Sequence, residues 1–312
     1  MNTLTGKLTI AAAYILAGSS VVAARSVTDY ISPFTITFLS LLIAVATAVL
    51  LDGRGMLTAM RRSSPARRRM LFLQAFFGIF LFRILLTYGL LRTSAAEAGI
   101  ITGTAPAITA VFTILLLREP FTFRCAAGVC MSAAGIMALQ GFPFQPGSIA
   151  LSHLVGNGMI LAATACESFF SVVARKMHLT EGEGHLSPVT QAGLVSLIAL
   201  VLCAFPLLSE SPAAAIADLP AGAWLALLWY GAVVTVLAFA CMFFGVKRCD
   251  GYTISAFTGL MPLSALILSI LFLGEAVSWH HALGCGCILL SIWIIGARRP
   301  EARRAASSYP CE

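Results

Sequence analysis

Runs such as TITFLSLLIAVATAVLL (35–51) recur along the chain, each near bilayer length and almost free of charge. A hydrocarbon core about 30 Å thick takes a helix of about 20 apolar residues. By that measure the sequence predicts ten spanning helices: 8–24, 33–51, 71–91, 95–117, 124–140, 153–174, 188–207, 222–246, 253–273 and 280–297. A soluble fold is excluded. Charged residues are 11% of 312, against about a quarter in soluble domains, so a water-facing surface cannot be covered. The expected fold class is an all-α membrane protein.

The positive charges orient these spans. With the N-terminus in the cytoplasm, the inner side holds Lys7, Arg54, Arg61, Arg62, Arg67, Arg68, Arg69, Arg118, Arg124, Arg175, Lys176, Lys247, Arg248, Arg298, Arg299, Arg303 and Arg304. Arg25 and Arg92 fall outside, and Arg83 lies within a span. The positive-inside rule therefore predicts cytoplasmic termini. Charge placed this way is a topology signal, so the net +7 does not imply a nucleic-acid partner. The run DGRGMLTAMRRSSPARRR (52–69) reads as a solvated cytoplasmic loop beside anionic lipid headgroups. The tail 298–312 reads as disordered.

A repeat lies beneath the hydrophobicity. Shifted by 156 residues, RTSAAEAGIITGTAPAITAVFTILLLREPF overlies RCDGYTISAFTGLMPLSALILSILFLGEAV. Arg92 meets Arg248, Thr102 and Gly103 meet Thr258 and Gly259, Pro106 meets Pro262, and Glu119 meets Glu275. SVVA at 20–23 returns at 171–174, and Ser32-Pro33 returns as Ser187-Pro188. The repeats are expected over 1–141 and 152–297. Five spans per repeat is an odd number, so the second copy enters the membrane from the opposite face. Inverted repeats of this kind are common among secondary transporters. Pro106 and Pro262 interrupt equivalent helices, as hinges or as simple kinks.

The segments YGLLRTSAAEAGIITGTAP, LLLREPFT, SVVARK and FTGLMPLSALILSILFLGE resemble the ten-helix EamA-type members of the drug/metabolite transporter superfamily. The resemblance covers about residues 8–297. It implies a secondary carrier, in a bacterial cytoplasmic membrane, that moves a small metabolite by alternating access through a cavity between the repeats. Export is favoured over import on that resemblance. Arg83, Glu97 and Glu167 stand where the family pattern is usually apolar or aromatic, so they mark a subgroup.

Those three charges are the candidate site. A charge at a helix centre costs about 2.5–3.5 kcal/mol on insertion scales and generally faces a cavity or a partner. Arg83 and Glu97 are close enough in depth to pair, either as a structural tie or with Arg83 binding a substrate carboxylate or phosphate and Glu97 as its resting counter-ion. Glu167 has no basic neighbour in its own span, which suits a proton carrier or an amine site. One cation with two carboxylates matches a zwitterion such as an amino acid. Tyr14, Tyr88, Thr102, Trp229 and Tyr230 are further cavity candidates through hydroxyl groups or aromatic faces.

No metal or cofactor is expected: the His residues lack ligand spacing, the nine cysteines read as small apolar filler, and no phosphate-binding glycine loop of an ATP-driven pump occurs. The expected partners are membrane lipids, a small-molecule substrate and protons as a coupling ion, with a homodimer left open. A lipid-modifying enzyme or a sensory scaffold are the alternatives, although the short loops carry no clustered catalytic set.

Overall fold

The computed structural model describes residues 3–28, 30–92, 101–102, 104–119, 122–139, 151–180, 186–208, 210, 216, 218–273 and 279–296. Every regular element among them is helical. Hydrocarbon offers no hydrogen-bond partner, and a helix satisfies its own backbone. Six helices are long and apolar enough to cross a membrane: α2 (Pro33–Arg62), α3 (Pro65–Gly89), α6 (Leu154–Thr180), α7 (Pro188–Leu207), α8 (Ala221–Val246) and α9 (Gly251–Phe272). Four shorter apolar helices accompany them: α1 (Leu4–Gly18), α4 (Ala105–Leu117), α5 (Phe123–Ala138) and α10 (Ala282–Ile294).

The segment expected as a loop over 52–69 is mostly helix. α2 runs on to Arg62 past a kink at Asp52 (φ −151°, ψ 43°), and α3 starts at Pro65. The charge in this stretch reports water, not coil. Arg, Met, Leu and Ala all favour helix, and Ser64 caps the new start by accepting from the Arg67 amide at 3.2 Å. Proline at the first helical position costs nothing, because that amide has no helical partner.

Helices pack in four extensive pairs: α2 with α7, α5 with α10, α1 with α8, and α3 with α6. End contacts make the first antiparallel. Asp52, near the end of α2's apolar part, accepts from Ser187 Oγ (2.8 Å) and Thr190 Oγ1 at the start of α7. Glu210, just past α7, accepts from Ser32 Oγ, Thr35 Oγ1 (2.8 Å) and the Thr35 amide (2.9 Å) at the start of α2. Each helix start thus engages a carboxylate from the far end of its partner. Glu210 satisfies otherwise orphaned amides of α2 directly. Asp52 instead holds the Ser187 and Thr190 hydroxyls, and Ser187 Oγ takes the Thr190 amide at 3.0 Å.

The remaining pairs meet at small residues. Late in α3, Gly89 leaves room for Ile160 and the Gly156 backbone of α6; late in α8, Gly245 does the same for Ile10 and the Gly6 backbone of α1. At the ends of these helices Arg92 donates to the Tyr88 carbonyl (3.0 Å) and Arg248 to the Phe244 carbonyl (2.9 Å), each guanidinium lying over the ring of the residue it bonds. Between α5 and α10, Ser291 Oγ donates to the Gly128 carbonyl at 2.7 Å, while Gly135 lies against the Gly284 carbonyl.

Gly18 is a close approach of α1 to α9. A Cβ there would lie 2.5 Å from the Met261 carbonyl and 2.9 Å from the Ala265 amide, both backbone atoms of α9. Gly158 on α6 has open space at that position. Overpacking typically costs about 1–3 kcal/mol. Gly18→Ala should therefore lower the melting temperature in detergent by several degrees, whereas Gly158→Ala should leave it unchanged or slightly higher; fluorescence-detected thermal unfolding of both variants checks this.

Candidate functional site

Two departures from regular α-helix shape the site. In α3 a π-helical turn covers Phe76–Leu81, and in α8 another covers Trp229–Leu237. The extra residue in a π turn rotates the side chains that follow, and such turns are frequent at functional sites. Arg83 stands just beyond the first, and Tyr230 lies in the second.

These two residues meet. The Arg83 guanidinium carbon sits 4.9 Å from the centre of the Tyr230 ring, within cation–π range. Its Nη1 donates to Thr37 Oγ1 of α2 at 3.0 Å, and that hydroxyl passes its own proton to the Pro33 carbonyl at 2.9 Å. Three helices therefore hold one guanidinium. Arginine carries five N–H donors in a planar fork. Among the described residues Thr37 is its hydrogen-bond acceptor, and no carboxylate stands within ion-pair distance of it. The remaining donors suit a bidentate anion. Next to Tyr230, Trp229 Nε1 donates to Ser19 Oγ at 3.0 Å, joining α8 to the residue just past α1.

A second polar centre lies between α1 and α6. Tyr14 is 6% exposed, and among the described residues its hydroxyl has no hydrogen-bond partner. It lies within electrostatic range of the half-buried Glu167 and beside Ser171. An unsatisfied buried hydroxyl costs about 1–3 kcal/mol, a cost that an occupant offering a polar atom would remove.

The other expected residues fall elsewhere. Tyr88 packs at 6.2 Å from Phe34 and carries the Arg92 guanidinium, so it belongs to a helix end. Thr102 is half-buried, just ahead of a turn at Thr104. Glu97 lies outside the described residues. Pro106 is buried in the first turn of α4, directly after Thr104. Pro262 follows a turn at Thr258–Gly259 that interrupts α9. Thr37 escaped the sequence reading because a threonine in an apolar helix usually bonds its own backbone. Thr37 does so, and its lone pair also serves Arg83.

The profile of the EamA-like transporter family matches this chain twice, over 4–140 and 154–297. Similar proteins include the uncharacterized transporter YetK of Bacillus subtilis (strain 168), 30% identical over 96% of this chain and 89% of that one. The uncharacterized transporter YyaM of the same organism is 24% identical over 69% of this chain and 68% of its own length. One solved crystal structure shares the fold with a TM-score of 0.72, covering 96% of this chain and 98% of that chain at 21% identity. With helices of membrane-crossing length and a profile spanning most of its sequence, the chain belongs to the EamA-like transporter family of the drug/metabolite transporter superfamily, and is a multi-pass membrane transporter.

Proposed function

We propose that the chain is an alternating-access carrier built from two inverted five-helix repeats, with cytoplasmic termini in a bacterial cytoplasmic membrane. Recurrence of contacts at equivalent positions supports the repeat. Tyr88, Gly89 and Arg92 correspond to Phe244, Gly245 and Arg248 at an offset of 156 residues. The partners of the two glycines, Gly156 with Ile160 and Gly6 with Ile10, correspond at an offset of 150. The π turns of α3 and α8 overlap at the first offset. Asp52 capping α7 and Glu210 capping α2 are the same contact made from each side. Antiparallel packing of α2 against its own equivalent α7 is what inversion requires.

The substrate in this reading is a small zwitterion of amino-acid type, and export is the direction the family resemblance favours. The observation that carries it is Arg83, a charge held in the membrane by Thr37 and Tyr230 with much of its fork unused. The guanidinium receives the carboxylate. Glu167, facing Tyr14, receives the amine or carries the coupling proton. Thr37, Trp229 and Ser19 line the approach from the outer end.

Ligand-dependent melting of purified protein against a panel of amino acids, amines and carboxylates tests this. A ligand that binds the folded form raises its melting point by mass action. Carboxylate-bearing amino acids should stabilise the wild type and leave Arg83→Gln unmoved. In proteoliposomes loaded with the amino acid so identified, Arg83→Lys should lower counterflow about tenfold, because a point charge replaces a bidentate fork; Arg83→Gln should abolish it. Wild-type rates in both variants would overturn the role. Glu167→Gln should retain exchange while losing acceleration by an imposed pH gradient, and a variant that still responds to the gradient would remove Glu167 from coupling.

A further inference from the structure

At the cytoplasmic end four helices meet at one carboxylate. Arg118 adopts φ 53°, the one left-handed non-glycine residue among those described, and the turn it makes brings Glu119 back under α9. Glu119 Oε2 accepts from the Gly251 amide at 2.8 Å, and its carbonyl accepts from the Tyr252 hydroxyl at 3.1 Å. Its Oε1 lies 3.6 Å from Arg175 Nε at the end of α6. Arg175 Nη1 in turn donates to the Val246 carbonyl that closes α8, at 2.8 Å. The two charged side chains are 14% and 16% exposed, so water competes only partly with the pair.

The seam continues inward. A Cβ on Gly251 would lie 2.5 Å from the Thr113 side chain, and Ser255 Oγ donates to the Pro106 carbonyl at 2.6 Å. From Pro106 to Thr113 this closes about 10 Å of α4 against the Gly251–Ser255 turn of α9. Turns bound the top of that seam: Thr104 directly precedes the first residue of α4, and Thr258–Gly259 interrupts α9. The α2–α7 interface differs: its two carboxylate caps are formed at both ends at once, which suits a fixed spine. An alternating gate is closed at one end only.

We propose that Glu119 and Arg175 latch the cytoplasmic gate of the transport cycle, with α4 and the first half of α9 as its leaves. The proposal rests on the alternating-access reading above. In the conformation described the gate is shut. Release of Glu119 from Arg175 and from the Gly251 amide lets α4 swing about Thr104 at its start, opening the space between the repeats to the cytoplasm. Both are positioning residues, outside the Arg83–Thr37–Tyr230 cluster.

The test uses the full chain in inside-out vesicles, with a membrane-impermeant methanethiosulfonate reagent and mass spectrometry to read labelling at two reporters. Ser255→Cys reports the seam and Ser196→Cys, on α7, reports the spine; both serines are 0% exposed. Adding Glu119→Gln or Arg175→Gln should raise the labelling rate at position 255 at least tenfold and leave 196 protected, and Arg175→Lys should keep 255 protected. No rise at 255 in either charge-removing variant would overturn the latch. So would equal rises at 255 and 196, which signify a loosened fold. Either failure leaves the Arg83 reading standing, since that is judged by ligand-dependent melting.

Discussion

Hydrocarbon cannot hydrogen-bond, and this one deficiency organises the molecule. It forces the backbone into helices, and it leaves helix ends and polar side chains to find their partners within the protein, in their own helix or in a neighbour. The carboxylate caps show the result. Asp52 serves the start of α7 and Glu210 the start of α2, each from the far end of the packed partner. Association between apolar helices gains little from the hydrophobic effect inside lipid, so close packing at small residues supplies the rest. Gly89, Gly245, Gly135 and Gly18 are where backbones approach.

The same deficiency makes the interior charge informative. An arginine in this setting is retained only where protein or ligand gives it something to bind. Among the described residues Thr37 and Tyr230 hold the Arg83 side chain in position without neutralising it, the state the proposed binding role needs before a ligand arrives. Glu167 and Tyr14 form a smaller centre of opposite character on different helices. In the proposed reading, a molecule with both a carboxylate and an amine satisfies both centres, and a simple ion only one.

Much of this was legible in the sequence, and the remainder has a physical pattern. The apolar runs foretold the helices, and the cost of a buried charge singled out Arg83. Ser32-Pro33 and Ser187-Pro188 could be read as matching helix starts, but not the acids that cap them, because those lie across the packed pair. Thr37 and Ser19 were hidden by their ordinariness among apolar neighbours. Charge misled in one place: the arginines of 52–69 read as a loop, and the backbone there is mostly helix. Proline was informative about interruption but not its exact seat, since the turns fall at Thr104 and at Thr258–Gly259, ahead of the prolines themselves.

Everything proposed about transport depends on the two halves lying in opposite senses across the bilayer. Equivalent helices α2 and α7 should then end on opposite faces. Single cysteines at Arg61, where α2 ends, and at Leu208, just past α7, can be labelled from each side with an impermeant maleimide. Labelling of position 61 only from the cytoplasmic side and of 208 only from outside is the result this account requires; labelling of both from one side would contradict it.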